Sequence, residues 1–147
     1  MNSAQQIKAS CLSDIGLQRT CNEDVCCVNT EDKFFLVADG IGGAEAGDIA
    51  SQIFLDTVID IFSTTKPGNH REVEKLVKTC FFQANQAIQE HIAINPSHQG
   101  MGCTAELFAI NGNNYVLGHI GDSRTYCLHK RELSLLTKDH SLAQEQV

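Results

Sequence analysis

Five carboxylates stand beside turns or at the ends of apolar runs rather than on helical surfaces: Glu23, Asp24, Asp39, Asp122 and Asp139. If several converge, two unpaired charges about 4 Å apart repel by about 4 kcal/mol at an effective dielectric constant of about 20. A bound cation would relieve that repulsion, and oxygen ligands without histidine or cysteine select hard ions such as Mg²⁺ or Mn²⁺. The alternative is that these residues are scattered, because aspartate is also common in surface turns.

Asp39 is the most informative of these residues, because it follows an uninterrupted apolar run, Phe34 to Ala38, and precedes glycines. Such a run predicts a strand buried on both faces. A helical pattern then extends from Ala44 to Phe62, which disfavours a simple Asp-Gly hairpin turn. A dinucleotide-binding turn is also disfavoured, because Glu45 occupies its last glycine position and Asp39 would repel a phosphate unless a metal intervened.

The residues before Asp39 predict a meander of three strands. Each predicted strand is a short apolar or alternating stretch, and a glycine or a polar turn separates it from the next. The three stretches are residues 7–15, 25–28 and 34–38.

Two amphipathic helices follow, and more strands come after them. The second helix begins at Asn69, where Glu72 completes a capping box, and it ends before Pro96. The order of elements predicts an α+β fold with both helices on one face of an antiparallel sheet. The later strands are joined by short polar turns and cover residues 103–110, 115–120, 125–128 and 133–136.

The composition allows one domain with a real core, because 42% of the 147 residues are hydrophobic and 20% are charged. The formal net charge of -7 disfavours nucleic-acid binding, which needs a basic face. Seven cysteines without a CxxC pair and six histidines without HExxH spacing disfavour a disulfide framework and a zinc site. No apolar run is long enough to span a membrane and the start lacks a signal-peptide pattern, so we expect a cytoplasmic protein.

Five sequence blocks occur in order along the chain: Arg19–Asp24, Val37–Gly43, Met101–Thr104, Gly121–Arg124 and Leu136–Ser141. Together they resemble the signature blocks of the metal-dependent PPM-type (PP2C-like) serine/threonine protein phosphatases. Ile41 stands where eukaryotic members carry histidine, so the bacterial branch is the closer likeness. Cys103 is a modest departure, because members usually carry threonine there.

The resemblance implies a PP2C-like α-β-β-α sandwich of antiparallel sheets flanked by helix pairs, with two Mg²⁺ or Mn²⁺ ions and, in some bacterial members, a third. Carried over by position, Asp39 would bridge two ions. The Gly40 carbonyl and Glu23 would lie near the second ion, and Asp24 would support the ligands. Asp122 would match the carboxylate used for the third, weaker ion.

The resemblance also implies a reaction, the hydrolysis of phosphoserine or phosphothreonine by a metal-activated water at the binuclear centre. Arg19 matches the arginine that holds the substrate phosphate, a role that suits its planar fork. A local ion pair with Glu23, four residues on, is the alternative role for Arg19. With Ile41 in place of histidine, no side chain is assigned to protonate the leaving group.

Family domains continue for roughly another hundred residues, so we expect residues 1–147 to be the N-terminal part of a single phosphatase domain, incomplete at its C-terminus. Open sheet edges would then invite pairing with a second copy of the chain. The expected partners are phosphorylated protein substrates, with no nucleic acid and no membrane. The rival hypothesis is a truncated, non-catalytic phosphatase-like module that binds a partner or a phosphopeptide.

Overall fold

The computed structural model describes residues 7–42 and 46–140, which form two α-helices, a five-stranded sheet and a two-stranded hairpin. The first elements are β1 (Asp24–Asn29), β2 (Phe34–Ile41), α1 (Gly47–Thr64) and α2 (His70–Ile94). After a short 3₁₀ helix, Pro96–His98, come β3 (Gly102–Cys103), β4 (Ala105–Asn111), β5 (Asn114–Ile120), β6 (Tyr126–His129) and β7 (Glu132–Leu135).

β2 lies inside the larger sheet, between β1 and β4, and β5 completes the row. β3 pairs with the end of β2, and every pairing in the sheet is antiparallel. Alternate residues of a strand point to opposite faces. Phe34, Leu36 and Ala38 are therefore buried with α1 and α2, whereas Val37 and Asp39 are exposed on the other face, called here the open face.

The α+β layout with both helices on one side of an antiparallel sheet is confirmed. α2 begins as predicted, because Asn69 accepts a hydrogen bond from the Glu72 backbone N–H at 3.1 Å. The Glu72 carboxylate in turn accepts from the Gly68 N–H at 2.6 Å. The helix predicted from Ala44 starts at Gly47, and residues 43–45 lie outside the described residues.

The first predicted strand, residues 7–15, is wrong: these residues form an irregular coil. The predicted meander is therefore a two-stranded hairpin of β1 and β2. A loose alternation becomes a strand only when its apolar side is buried against a partner. Here Leu12 is 92% exposed, and Ala9 and Cys11 instead lie over the open face, where they line a cavity with residues of β1, β2 and β4.

The junction between β2 and α1 is packed backbone against backbone. The Gly40 N–H donates to the Glu23 carbonyl at 3.0 Å. A Cβ added at Gly40 would overlap the Gly47 carbonyl and lie 2.7 Å from the Glu23 carbonyl oxygen. Glycine is therefore required at position 40 by space, because backbone atoms cannot move aside as a flexible side chain can.

We expect Gly40→Ala to destabilise the chain by about 3 kcal/mol or more, because the added methyl group forces α1 away from β2. Gly102→Ala is the matched control, since a Cβ there meets nothing within 4 Å among the described residues. Urea unfolding of both variants measures the difference. Equal midpoints for the two would contradict the close packing of this junction.

Candidate metal centre

The pairing of β1 with β2 brings two acidic residues together at one end of the sheet. Asp24 lies directly opposite Asp39 in the antiparallel register. Both belong to the open face, where Asp39 remains exposed. Two carboxylates at facing strand positions are unfavourable unless a proton or a cation lies between them.

The charge around Asp39 changes its titration. Partial burial, and then charge repulsion by Asp24 and a side-chain hydrogen bond with Asp24, raise the pKa of Asp39 above its usual value. The charges of Asp122 and Glu23 raise the pKa of Asp39 further. Three of the other four carboxylates noted in the sequence are thus close enough to Asp39 to influence its pKa.

Glu23 is fixed in place through its backbone. Its carbonyl accepts hydrogen bonds from the Gly40 N–H at 3.0 Å and from the Ser51 hydroxyl at 2.7 Å. Ser51 is fully buried in α1, and a Cβ at Gly47 would overlap the Glu23 carboxylate. The first turns of α1 therefore hold Glu23 next to Gly40.

Arg19 forms an ion pair with Glu23, with 3.1 Å between Nη1 of the arginine and Oε2 of the glutamate. The arginine side chain is 74% exposed, whereas the glutamate side chain is 16% exposed. The local ion pair that the sequence left open as an alternative role is therefore present. Only one of the guanidinium nitrogens makes this bond, so the phosphate-binding role stays a prediction.

Thr104 is a positioning residue that the sequence reasoning missed. Its hydroxyl accepts a hydrogen bond from the Asp39 N–H at 3.2 Å, and its own N–H donates to the Asp39 carbonyl at 2.8 Å. The same hydroxyl is 2.6 Å from the Ser123 hydroxyl, in the loop that carries Asp122. Thr104 thus links Asp39 to that loop, and its place in the Met101–Thr104 block was the only signal in the sequence.

Asp139 does not join the acidic group around Asp39. Arg124 binds it with two parallel hydrogen bonds, Nε to Oδ1 at 2.9 Å and Nη2 to Oδ2 at 2.6 Å. This bidentate contact lowers the pKa of Asp139 below its usual value. Asp139 therefore has a structural role, in which it holds the segment after β7 against the loop after β5.

A buried polar network lies on the open face behind this loop. The carboxylate of Glu106 contacts Nδ1 of His119 and accepts from the Thr125 hydroxyl at 2.6 Å. Nε2 of His119 lies 2.9 Å from the Lys138 carbonyl. The network ties both ends of the β6–β7 hairpin to β4 and β5, which fixes the position of the Gly121–Arg124 segment.

The carboxylates around Asp39 offer oxygen ligands, which fit Mg²⁺ or Mn²⁺ by their chemistry. The pKa of Asp39 is raised first by burial and then by the charges of Asp24, Asp122 and Glu23, and those neighbouring negative charges would favour a cation. Across residues 7–42 and 46–140, however, no three His, Cys, Asp or Glu side chains are placed so that they could hold a metal ion by themselves. The described residues therefore supply the right class of ligand but an incomplete set.

We expect Asp39→Asn to raise the melting temperature of the metal-free chain by a few degrees at pH 7. Because the folded chain raises the pKa of Asp39, its ionised form disfavours folding, and that penalty disappears below its ordinary pKa of about 3.9. The gain should therefore vanish near pH 3.5 in thermal scans with a chelator. Glu31→Gln, which removes an exposed turn carboxylate, is the control, and a loss of stability in Asp39→Asn would contradict the repulsion.

No helix within the described part of the chain combines the length and the apolar character needed to cross a bilayer.

Comparison with known proteins identifies the family. The family model described as Protein phosphatase 2C matches residues 1–146. Serine/threonine protein phosphatase PstP of Mycobacterium tuberculosis is 35% identical over 135 residues, which are 92% of this chain and 25% of PstP. Protein phosphatase PhpP of Streptococcus pneumoniae is 34% identical over 142 residues, which are 95% of this chain and 57% of PhpP.

Solved structures agree with these relatives. The crystal structure of the Mycobacterium tuberculosis phosphatase PstP/Ppp matches with a TM-score of 0.83 and 34% identity, over 91% of this chain and 55% of that one. The PstP catalytic domain in complex with two manganese ions matches with a TM-score of 0.79 and 33% identity, over 91% and 56%. The chain thus spans between a quarter and just over half of these proteins. The resemblance predicted from the motifs is confirmed, and the chain belongs to the protein phosphatase 2C family.

Proposed function

We propose that the protein is a metal-dependent serine/threonine protein phosphatase that hydrolyses phosphoserine or phosphothreonine in other proteins. The observation that carries the proposal is the group of carboxylates around Asp39 in a chain of this family. The names of the relatives PstP and PhpP support the reaction class, and the two manganese ions in a PstP structure support the metal.

In this proposal Asp39 would hold both of two ions, Mg²⁺ or Mn²⁺. The Gly40 carbonyl and Glu23 would help to hold the second ion, Asp24 would support the ligands from the facing strand, and Asp122 would serve a third ion. The register of β1 and β2 supports the pairing of Asp24 with Asp39. The fixed backbone of Glu23 beside Gly40 supports their joint role, because ligands that are already in place lose little entropy on binding.

When bound, such ions acidify water and offset the charge on phosphoryl oxygens. Arg19 binds and orients the substrate phosphate with the guanidinium donors that Glu23 leaves unused. Its exposure at the edge of the acidic group allows a large protein substrate to reach it. Ile41, the last residue of β2, cannot move a proton, so this chain lacks the acid that eukaryotic members place at this position.

Asp39 supplies the first test of this proposal. In the full-length protein, hydrolysis of p-nitrophenyl phosphate and of a phosphothreonine peptide should require Mn²⁺ or Mg²⁺. Asp39→Asn should reduce turnover by at least a hundredfold at saturating Mn²⁺, because the bridging carboxylate is lost. Glu31→Gln should keep normal turnover.

The non-catalytic module remains the alternative, since across residues 7–42 and 46–140 no three His, Cys, Asp or Glu side chains are placed to hold a metal ion by themselves. We expect those 147 residues by themselves to turn over substrate negligibly. If the full-length protein bound phosphopeptides but released no phosphate in Mn²⁺, the module would be the better description. Near-normal turnover of Asp39→Asn would instead remove Asp39 from the centre.

Arg19 gives a separate prediction. Arg19→Lys keeps the positive charge but loses the planar guanidinium group, which can donate two parallel hydrogen bonds to a phosphate. KM for a phosphopeptide should therefore rise by about tenfold, equivalent to about 1.4 kcal/mol, while kcat falls less. Arg71→Lys, an exposed substitution on α2, is the matched control. Steady-state kinetics separate the two parameters. An unchanged KM would mean that Arg19 serves Glu23 rather than the substrate.

A further inference from the structure

The coil before β1 folds back along that strand and brings two cysteines together. The Asn22 side chain donates to the Ser13 hydroxyl at 2.8 Å, which ties the coil to the residues just before β1. Two residues before Ser13 stands Cys11, and four residues after Asn22 stands Cys26. The chain from 11 to 26 is therefore a loop whose ends lie side by side.

Cys26, rather than Cys27, is the natural partner of Cys11. Cys27 packs against the core on the helix side of the sheet. Cys26 pairs with Val37 and therefore belongs to the open face, over which Cys11 lies. Cys27 also lines the cavity there, although its side chain belongs to the helix side. The side chain of Cys26 lies within hydrogen-bonding reach of the Cys11 side chain. Cys11 also influences Cys27, but by charge alone.

The two thiols also differ in access. Cys11 is exposed, so a small oxidant reaches it first, whereas Cys26 is half-buried. Cys127 on β6 is another exposed cysteine, but it lies in the hairpin rather than in this loop. The chain thus offers an exposed thiol with a close partner and an exposed thiol elsewhere for comparison.

We propose that Cys11 and Cys26 form a redox-modification site that low-molecular-weight disulfides such as oxidised glutathione convert to an intramolecular disulfide. The Cys11 thiolate attacks one sulfur of the oxidant, and one thiol leaves. The Cys26 sulfur then attacks the sulfur of Cys11 and releases the second thiol. The two cysteines lose two electrons and two protons, and the oxidant gains them as two thiols.

The bond would close a ring around residues that the site uses. Arg19, Glu23 and Asp24 all lie between Cys11 and Cys26. Before oxidation, the Ser13–Asn22 hydrogen bond and the Arg19–Glu23 ion pair restrain this segment. A covalent link at its base would restrict it further, because a ring has fewer conformations than an open loop. The proposal concerns the thiols themselves and stands independently of the phosphatase activity.

The experiment treats the full-length protein with oxidised glutathione, blocks the remaining thiols and maps peptides without reduction. Trypsin separates residues 9–19, which contain Cys11, from residues 20–33, and a second cleavage after Glu23 separates Cys21 from the adjacent pair Cys26 and Cys27. We expect Cys11 joined to the peptide that begins at Asp24, with Cys26 assigned by fragmentation. The link should be absent in Cys11→Ser and in Cys26→Ser, and present in Cys127→Ser.

A second measurement tests whether the disulfide restricts the loop between Cys11 and Cys26. In the folded protein, the rate of tryptic cleavage after the exposed Arg19 should fall several-fold on oxidation and recover on reduction. Glutathione retained on Cys11 without ring closure, a link from Cys11 to Cys21 or Cys27, or a disulfide between two chains would overturn the proposed pair. An unchanged cleavage rate in the oxidised protein would overturn the restraint.

Discussion

The close approach of Glu23, Gly40 and Gly47 is the constraint on which the rest of the structure depends. Three backbone segments meet where no side chain fits, because a Cβ at either glycine would overlap its neighbours. This contact sets the distance between β2 and the start of α1 and holds the carbonyl of Glu23 against the N–H of Gly40. The carboxylates nearby are therefore held by backbone packing rather than by attraction among themselves.

That arrangement explains how like charges can be assembled in one place. Asp24 and Asp39 repel each other, and the register of β1 and β2 keeps them opposite one another nonetheless. The energy that holds them comes from the core beneath, where Phe34 and Leu36 are buried against the helices. Arg124 binds the carboxylate of Asp139 through two hydrogen bonds, so Asp139 does not add to the charge repulsion around Asp39.

The sequence predicted the strand before Asp39, both helices and the helix cap at Asn69, because each depends on local periodicity or on a contact within one turn. The strand predicted for residues 7–15 is absent, since an alternation of apolar and polar residues does not reveal whether a partner strand is available. The sequence also could not assign Thr104 to Asp39, because that hydrogen bond joins residues 65 apart in the chain. Motif resemblance located the candidate site, while the residues that position it required three-dimensional packing.

The ion pair between Glu23 and Arg19 couples the proposed binding of metal to the proposed binding of the substrate phosphate. The Glu23 backbone is fixed by Gly40 and Ser51, yet its carboxylate is bound to the exposed Arg19. In the proposed function, a cation held by this carboxylate would weaken the ion pair with Arg19, and the guanidinium donors would become available to a substrate phosphate. Metal binding and substrate binding would then favour each other through the side chain of Glu23.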